Sequence, residues 1–154
     1  MVRKKFTKLS KDDTPMVRRG AAKSISIISK SLEPEHAKEF LLPMIKFLLD
    51  DSNDSVKINA VISSIDVAKA VKDSGLLREN VLPSFKASCE NRFSWRLRFT
   101  VAEHAAFLAS YIDKEAVDEE IVGFYELLLR DAEPEVRSEA VTRVPEVAKY
   151  CSTS

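Results

Sequence analysis

Four segments of the chain repeat one pattern at a spacing of about forty residues. They read TPMVRRGAA, NDSVKINAV, SWRLRFTVA and EPEVRSEAV, and they align on Val17, Val56, Leu97 and Val136 with separations of 39, 41 and 39 residues. A period of this length is typical of solenoids made of helical hairpins, in which each unit buries its faces against its neighbours. A compact helical bundle, the competing architecture, gives no reason for the anchors to recur in register.

Each column of this alignment has a physical role in a helix. N-cap residues stand three positions before the anchor in the first three units, as Thr14, Asn53 and Ser94, and Glu133 takes that position in the fourth. Small or apolar residues recur four, eight and eleven positions after each anchor, on one face of a helix. An apolar stretch such as FLLPMIKFLLDD precedes each of these helices. The sequence therefore predicts an all-α chain in which a first helix, a short turn and a second helix alternate.

The hairpins divide the chain into four predicted repeats of one continuous solenoid. The expected bounds of these repeats are 1–33, 34–74, 75–113 and 114–154. Polar linkers such as SLEPEH and KDSG lie between the hairpins. The chain opens directly into a first helix, and its last residues, YCSTS, hardly form the polar cap that the end of a solenoid needs. We therefore expect a segment of a longer protein.

A basic residue follows the anchor in every unit, and an acidic residue stands five positions before the anchor in three units. We call these two columns the charge ladder, with the members Arg18, Lys57, Arg98 and Arg137 and the acids Asp12, Asp51 and Asp131. Stacked hairpins would let each base reach the carboxylate of its own or the next unit, and arginine suits this because its planar fork serves two oxygens. Arg92 replaces the acid in the third unit, where Glu90 or Asn91 would have to compensate. Contact with a partner protein is the alternative role of these arginines.

The composition excludes several classes of partner. Lys plus Arg and Asp plus Glu number 24 each, so no net field favours nucleic acid or an anionic membrane. No apolar run approaches the roughly 18 residues of a membrane span or forms a signal peptide. Cys89 and Cys151 stand far apart, without the spacing of a metal or redox motif, and this fits two structural thiols in a reducing compartment. We expect a soluble intracellular protein that binds neither nucleic acid nor membranes.

Catalytic and metal-binding patterns are missing from the sequence. It contains no phosphate-cradling glycine-rich loop, no HExxH, no GxSxG and no DxDxDG calcium loop. His36 and His104 are far apart, and neither has a neighbour at the spacing of a catalytic triad or a metal site. We therefore expect no catalytic residue, no metal and no cofactor.

The period, the hairpins and the two charged columns resemble HEAT repeats. In their order and spacing, DDTPMVRR, LLPMIKFLLDDSNDSVK, VLPSFKASCENRFSWRLRFTVAEH and LLLRDAEPEVRSEAV are similar to successive central repeats of the scaffolding A subunits of protein phosphatase 2A, about the fifth to the eighth. The resemblance implies a right-handed HEAT-repeat superhelix that is not itself an enzyme. It also implies a regulatory B-type subunit bound to the within-repeat turns, a catalytic subunit bound through C-terminal repeats outside this chain, and a location in the cytoplasm and also the nucleus.

Carried over by position, the contacts with the regulatory subunit lie on the turns. The residues are Asp13, Thr14, Pro15, Met16, Arg18 and Arg19 in the first unit, Asn53 and Asp54 in the second, Ser94, Trp95 and Arg96 in the third, and Glu133 and Glu135 in the fourth. Exposed Trp and Arg are favoured interface anchors, although packing onto the neighbouring turn is the alternative role of Trp95. The NRFSW turn carries one residue more than the family pattern.

Arg19 differs from Arg18 because its column is not basic elsewhere. Ile58, Phe99 and Ser138 fill the same column in the other units, so Arg19 is available to a partner rather than to the ladder. An alternative function is that of a HEAT-repeat adaptor that binds peptides or RNA on its concave face. An RNA-binding adaptor would show an excess of basic residues along one groove and salt-sensitive binding.

Overall fold

The structure, a computed structural model, describes residues 1–152, and within that range it contains helices and turns but no strand. The chain divides into two compact units, Met1–Lys72 and Asp73–Ser154. Each unit holds two helical hairpins, so the predicted all-α, HEAT-like fold class is confirmed. The end of the fourth predicted repeat, residues 153 and 154, lies outside the described residues.

The first unit is a pair of stacked hairpins. The first hairpin consists of α1 (Val2–Leu9) and α2 (Pro15–Ser29); the second consists of α3 (Pro34–His36), a π-helical turn (Ala37–Leu41), α4 (Leu42–Leu49) and α5 (Asp54–Val71). Proline opens α2 and α3, where its missing N–H has no partner to lose. The second helices α2 and α5 pack along each other, and α4 covers α5.

Buried side chains and one buried hydrogen bond join α2 and α5. Ala22 and Ile25 are fully buried, and the hydroxyl of Ser63 on α5 donates to the backbone oxygen of Ala22 at 2.6 Å. This bond satisfies a polar group that would otherwise cost about 1–3 kcal/mol when buried. Leu41 and Ile45 are fully buried, in the π-helical turn and in α4, which both pack against α5.

The second unit repeats this architecture. Its third hairpin consists of α6 (Ser74–Asn80), α7 (Leu82–Cys89), α8 (Trp95–Leu108) and a closing 3₁₀ turn (Ala109–Tyr111); the fourth consists of α9 (Lys114–Ala116), a π-helical turn (Val117–Ile121), α10 (Val122–Leu128) and α11 (Pro134–Ala148). Here α8 packs along α11. Phe85, Leu97 and Leu108 are fully buried, and the phenol of Tyr125 donates to the backbone oxygen of Ala102 at 2.6 Å.

Two π-helical turns interrupt the first helices of the second and fourth hairpins. The N–H of Leu42 donates to the oxygen of Ala37, and the N–H of Val122 donates to the oxygen of Val117, five residues back in each case. Each of these turns inserts one wider ring into the first helix of its hairpin.

Short linkers at 30–33, 72–73 and 112–113 separate the hairpins, while the repeat boundaries themselves stay predictions. No helix within residues 1–152 is both long enough and apolar enough to cross a bilayer.

Candidate functional site

The within-hairpin turns carry the predicted site residues. They run through residues 10–14 and 50–53 in the first unit, and 90–94 and 129–133 in the second. We call them the turn ridge and describe the two turns of each unit as a pair. In each pair, an arginine of the charge ladder joins the two turns.

Arg18 joins the turn pair of the first unit. Its Nε donates to Oδ2 of Asp51 at 2.7 Å, and its Nη2 donates to Oδ1 at 3.0 Å, so the pair is bidentate. Its Nη1 donates to the backbone oxygens of Asp12 and Asp13 at 2.8 and 3.1 Å. One guanidinium thus holds the end of its own turn and the carboxylate of the next hairpin.

Arg98 joins the turn pair of the second unit with the same geometry. Its Nε and Nη2 donate to Oδ2 and Oδ1 of Asp131 at 2.6 and 2.9 Å. Its Nη1 donates to the backbone oxygen of Asn91 at 2.7 Å. The side chains of Arg98 and Asp131 are only 11% and 7% exposed, so water competes little for this pair.

Both aspartates of these pairs are held in the charged state. Burial by itself would raise the pKa of Asp51, but the hydrogen bonds from Arg18 and from the N–H of Asn53 outweigh it and hold that pKa below its ordinary value. The pKa of Asp131 is lowered for the same reasons, with burial opposed by Arg98 and by the N–H of Glu133. The carboxylates therefore favour the folded state wherever they are ionised.

The remaining ladder residues lack such a bidentate pair. The ammonium of Lys57 lies 3.9 Å from a carboxylate oxygen of Asp54, three residues earlier on α5. Nη1 of Arg137 donates to the backbone oxygens of Asp131 and Ala132 at 2.6 and 3.0 Å and to no carboxylate among residues 1–152. Oδ1 of Asp12 accepts the N–H of Thr14 at 2.8 Å.

A side-chain acceptor also shapes each turn. Oδ1 of Asp51 accepts the N–H of Asn53, and Oδ1 of Asp131 accepts the N–H of Glu133, each at 2.9 Å. In the third hairpin Asn91 takes over this role, because its Oδ1 accepts the N–H of both Phe93 and Ser94. Asn91 therefore compensates for Arg92 in shaping the turn, and the exposed Arg92 is not needed for it.

The first turn presents an exposed edge. Asp13, Thr14 and Pro15 are exposed, and Met16 keeps 66% of its surface accessible. Thr14 occupies the N-cap of α2, as predicted, but its side chain makes no capping bond. Oδ1 of Asp12 accepts the N–H of Thr14. Arg19 is half-buried, and no hydrogen bond or ion pair engages its guanidinium within the described chain.

The third turn presents aromatic surface. Trp95 is half-buried at the start of α8, edge-on to Phe99, with the guanidinium carbon of Arg96 at 4.9 Å from the centre of its ring. Ser94 caps α8, since its side chain accepts the N–H of Leu97. Phe93 is 97% exposed at the tip of this turn. Sequence reasoning missed Phe93, although an apolar residue outside the periodic columns is a readable signal.

The second and fourth turns contribute mostly polar groups. Asn53 caps α5 by accepting the N–H and hydroxyl of Ser55 at 3.0 and 2.6 Å. Asp54 lies at 3.9 Å from the ammonium of Lys57. Glu133 is half-buried, and Glu135 is exposed in the first turn of α11.

A groove lies between the two turns of each unit. In the first unit it encloses about 630 Å³ between the Arg18–Asp51 pair and exposed residues such as Lys11, Asp13 and Lys46. In the second unit it encloses about 300 Å³ beside the Arg98–Asp131 pair. Both grooves are shallow and charged, which suits a protein surface better than a small apolar ligand.

The other reactive side chains do not form a site. His36 is exposed, and Nδ1 of His104 lies 2.9 Å from the backbone oxygen of Thr100. Burial raises the pKa of Cys89 to about 12, and burial also raises the pKa of Cys151, so neither thiol is activated. Within residues 1–152 no three His, Cys, Asp or Glu side chains cluster in a way that could hold a metal ion.

Comparison with known proteins supports the resemblance drawn from the motifs. No protein-family model matches the chain. Among curated proteins, the chain is similar to the regulatory A subunit of protein phosphatase PP2A from Schizosaccharomyces pombe, with 28% identity over 119 residues, or 77% of this chain and 20% of that protein. The chain thus spans about a fifth of the length of this relative. The similarity confirms the predicted resemblance and supports a scaffold role of HEAT-repeat type.

Proposed function

We propose that this chain is a non-catalytic scaffold segment of a protein phosphatase 2A holoenzyme and that its turn ridge binds a regulatory B-type subunit. The observation that carries the proposal is the similarity to a regulatory A subunit of this phosphatase over most of the chain. In each unit, an arginine–aspartate pair also holds two turns that carry exposed side chains, and this supports the proposal. On this proposal the catalytic subunit binds other repeats of the full scaffold. The complex is located in the cytoplasm and also in the nucleus.

The turn ridge suits protein docking because its geometry is set before a partner arrives. The Arg18–Asp51 and Arg98–Asp131 pairs each fix two turns, so little conformational entropy is lost when a partner binds across them. The proposed contact residues stand around these pairs. They are Asp13, Thr14, Pro15, Met16 and Arg19 in the first hairpin, Asn53 and Asp54 in the second, Phe93, Ser94, Trp95 and Arg96 in the third, and Glu133 and Glu135 in the fourth.

Arg19, Phe93 and Trp95 are the proposed energetic anchors. Aromatic and arginine side chains dominate binding energy when a partner desolvates them. Phe93 has the most surface for a partner to bury, since it is 97% exposed in the free chain. Arg18 holds the turns in place and acts on binding through them.

A capture experiment with a purified regulatory B-type subunit tests this proposal. We expect Arg19→Ala and Trp95→Ala each to weaken binding at least about tenfold, the effect of a typical interface anchor. Lys69→Ala and Ile62→Ala, which change exposed residues of α5 away from the turns, serve as matched controls and should bind like the wild type. Circular dichroism verifies that each variant folds.

Unchanged capture by folded Arg19→Ala and Trp95→Ala variants would show that the ridge assignment is wrong. Capture of RNA that weakens steeply with salt, without capture of the regulatory subunit, would favour an RNA-binding adaptor instead.

A further inference from the structure

The third turn is one residue longer than the other three turns of the chain. In the first, second and fourth hairpins, an aspartate accepts the N–H of the N-cap residue two positions later. In the third hairpin, Asn91 accepts the N–H of Ser94, the N-cap three positions later. Arg92 and Phe93 fill this longer turn. Hairpins precede and follow it in the chain, so it is not a terminal feature.

Two arginines and two aromatic residues lie together in the third turn and at the start of α8. Phe93 is 97% exposed, Arg92 and Arg96 are exposed, and Trp95 is half-buried. Five consecutive residues span at most about 14 Å, so one short segment of a partner can contact all four side chains. We call Arg92, Phe93, Trp95 and Arg96 the basic-aromatic tip.

Within residues 1–152, no hydrogen bond or ion pair engages the guanidinium of Arg92 or of Arg96. The guanidinium carbon of Arg96 lies 4.9 Å from the centre of the Trp95 ring. Stacking of this kind uses the face of the guanidinium and leaves the N–H donors in its plane accessible. Arg92 lines the groove of about 300 Å³ in this unit. Both arginines are therefore available to bind a carboxylate through two hydrogen bonds.

The other turns differ from the third turn in charge and in aromatic content. Each of the turns 10–14, 50–53 and 129–133 contains two acidic residues and no aromatic residue. The third turn, 90–94, contains one acid, Glu90, together with Arg92 and Phe93. The column of Arg96 is not basic elsewhere, since Met16, Ser55 and Glu135 fill it in the other hairpins.

Acidic residues near the tip distinguish between two kinds of partner. Basic and aromatic side chains together also suit single-stranded RNA, because bases stack on the rings and phosphates pair with arginine. Glu90 is exposed in the same turn, and Glu135 is exposed at the start of α11 in the same unit. A phosphate backbone that follows the turns would meet these carboxylates and be repelled. A protein segment can place single carboxylates against Arg92 and Arg96 and avoid this repulsion.

We propose that the basic-aromatic tip binds a protein segment in which carboxylates flank an aromatic side chain. The aromatic side chain packs on Phe93 and Trp95, and the carboxylates accept N–H groups of Arg92 and Arg96. This packing removes the exposed ring of Phe93 from water. A basic segment is rejected, because it brings like charges together. The regulatory B-type subunit supplies the acidic segment, and this last step rests on the proposed function.

The fluorescence of Trp95, the single tryptophan of the chain, reports binding at the tip. The probes are two capped pentapeptides, one with phenylalanine between two pairs of glutamates and one with phenylalanine between two pairs of lysines. At constant ionic strength, the acidic peptide should change the Trp95 emission with half-saturation on the order of 1 mM. The basic peptide should bind at least about tenfold more weakly. Alanine in place of phenylalanine in the acidic peptide should also weaken binding about tenfold.

Variants of exposed side chains show whether the tip itself binds the acidic peptide. Phe93→Ser should weaken binding about tenfold, and Arg92→Gln about fivefold, the effect of losing one exposed ion pair. Lys69→Gln removes a cation from an exposed position of α5 and is the matched control, which should bind like the wild type. The double variant Arg92→Glu/Arg96→Glu should prefer the basic peptide. Circular dichroism verifies that each variant folds.

Capture of a purified regulatory B-type subunit separates this inference from the proposed function. Arg92→Glu should weaken capture about tenfold. If Arg92→Glu captures the subunit like the wild type while Trp95→Ala does not, the inference fails and the ridge assignment stands. If the tip selects the acidic peptide but the wild type captures no B-type subunit, the proposed function fails and the binding chemistry of the tip stands.

Three results with the peptides would overturn the proposal. The first is an unchanged Trp95 emission at about 10 mM acidic peptide. The second is equal binding of the acidic and basic peptides. The third is tighter binding of an oligouridylate than of the acidic peptide, which would favour an RNA-binding tip instead.

Discussion

Two variants, Arg98→Met and Arg137→Met, measure how much the bidentate ion pair contributes to stability. Arg98 forms such a pair, whereas Arg137 occupies the same column of the repeat without one in the described chain. Methionine keeps much of the apolar stem and removes the guanidinium. Arg98 holds the carboxylate of Asp131, whereas Arg137 donates to backbone oxygens and to no carboxylate in the described part of the chain. The two variants therefore share one substitution and differ in what is lost.

The expected loss of unfolding free energy in Arg98→Met follows from the hydrogen bonds that Asp131 keeps. Its carboxylate is 7% exposed and keeps the N–H of Glu133 as its one hydrogen-bond donor in the described chain. Breaking a buried ion pair costs about 3–5 kcal/mol, and residual solvent contact places this pair at the lower end, about 3 kcal/mol. Arg137→Met removes bonds from an exposed side chain and should cost less than about 1 kcal/mol.

Urea unfolding followed by far-UV circular dichroism at pH 7 and low protein concentration measures both losses. A loss of about 3 kcal/mol corresponds to a fall of roughly 6–12 °C in the thermal midpoint for a chain of this size. Adding Asp131→Asn to Arg98→Met should recover part of the loss, because the stranded charge is removed while the turn acceptor remains. Equal losses for Arg98→Met and Arg137→Met would refute the reasoning.

Three further outcomes follow from contacts inside the units. The lowered pKa values of Asp51 and Asp131 mean that their stabilisation is complete above the ordinary aspartate value of about 4 and is lost as the pH falls through the lower folded-state values. The unfolding free energy of Asp131→Asn should therefore fall less than that of the wild type between roughly pH 5 and pH 2; parallel curves would contradict this. Tyr125→Phe should lose about 1 kcal/mol in urea unfolding, the worth of its bond to Ala102, and an unchanged midpoint would show that the bond is not stabilising. Phe85→Ala should lose about 3–5 kcal/mol, because the fully buried ring leaves a cavity; a loss below about 1 kcal/mol would mean that the third hairpin collapses into the space.

The hairpins were predictable from the sequence because their physics is local and periodic. Val17, Val56, Leu97 and Val136 mark the starts of α2, α5, α8 and α11 in the structure. The residues four, eight and eleven positions after each anchor lie on one face of the helix because of the helical period alone.

Other features depend on contacts that the sequence does not specify. Arg18 had two carboxylates within sequence reach, those of Asp12 and Asp51. The structure uses the second because Nη1 of Arg18 is already bonded to the backbone of its own turn, which leaves the Nε edge toward the next hairpin. The π-helical turns before α4 and α10 are local insertions that the period does not encode.

Arg18 and Arg19 have different roles, one in the fold and one in the proposed function. Arg18 stabilises the pair of turns with four of its five N–H donors, whereas Arg19 beside it makes no hydrogen bond through its guanidinium within residues 1–152. Loss of Arg18 should therefore lower stability and binding together, and loss of Arg19 should lower binding alone. Because Arg18 makes the structural contacts of this turn, the guanidinium of Arg19, its neighbour in the sequence, stays available to a partner.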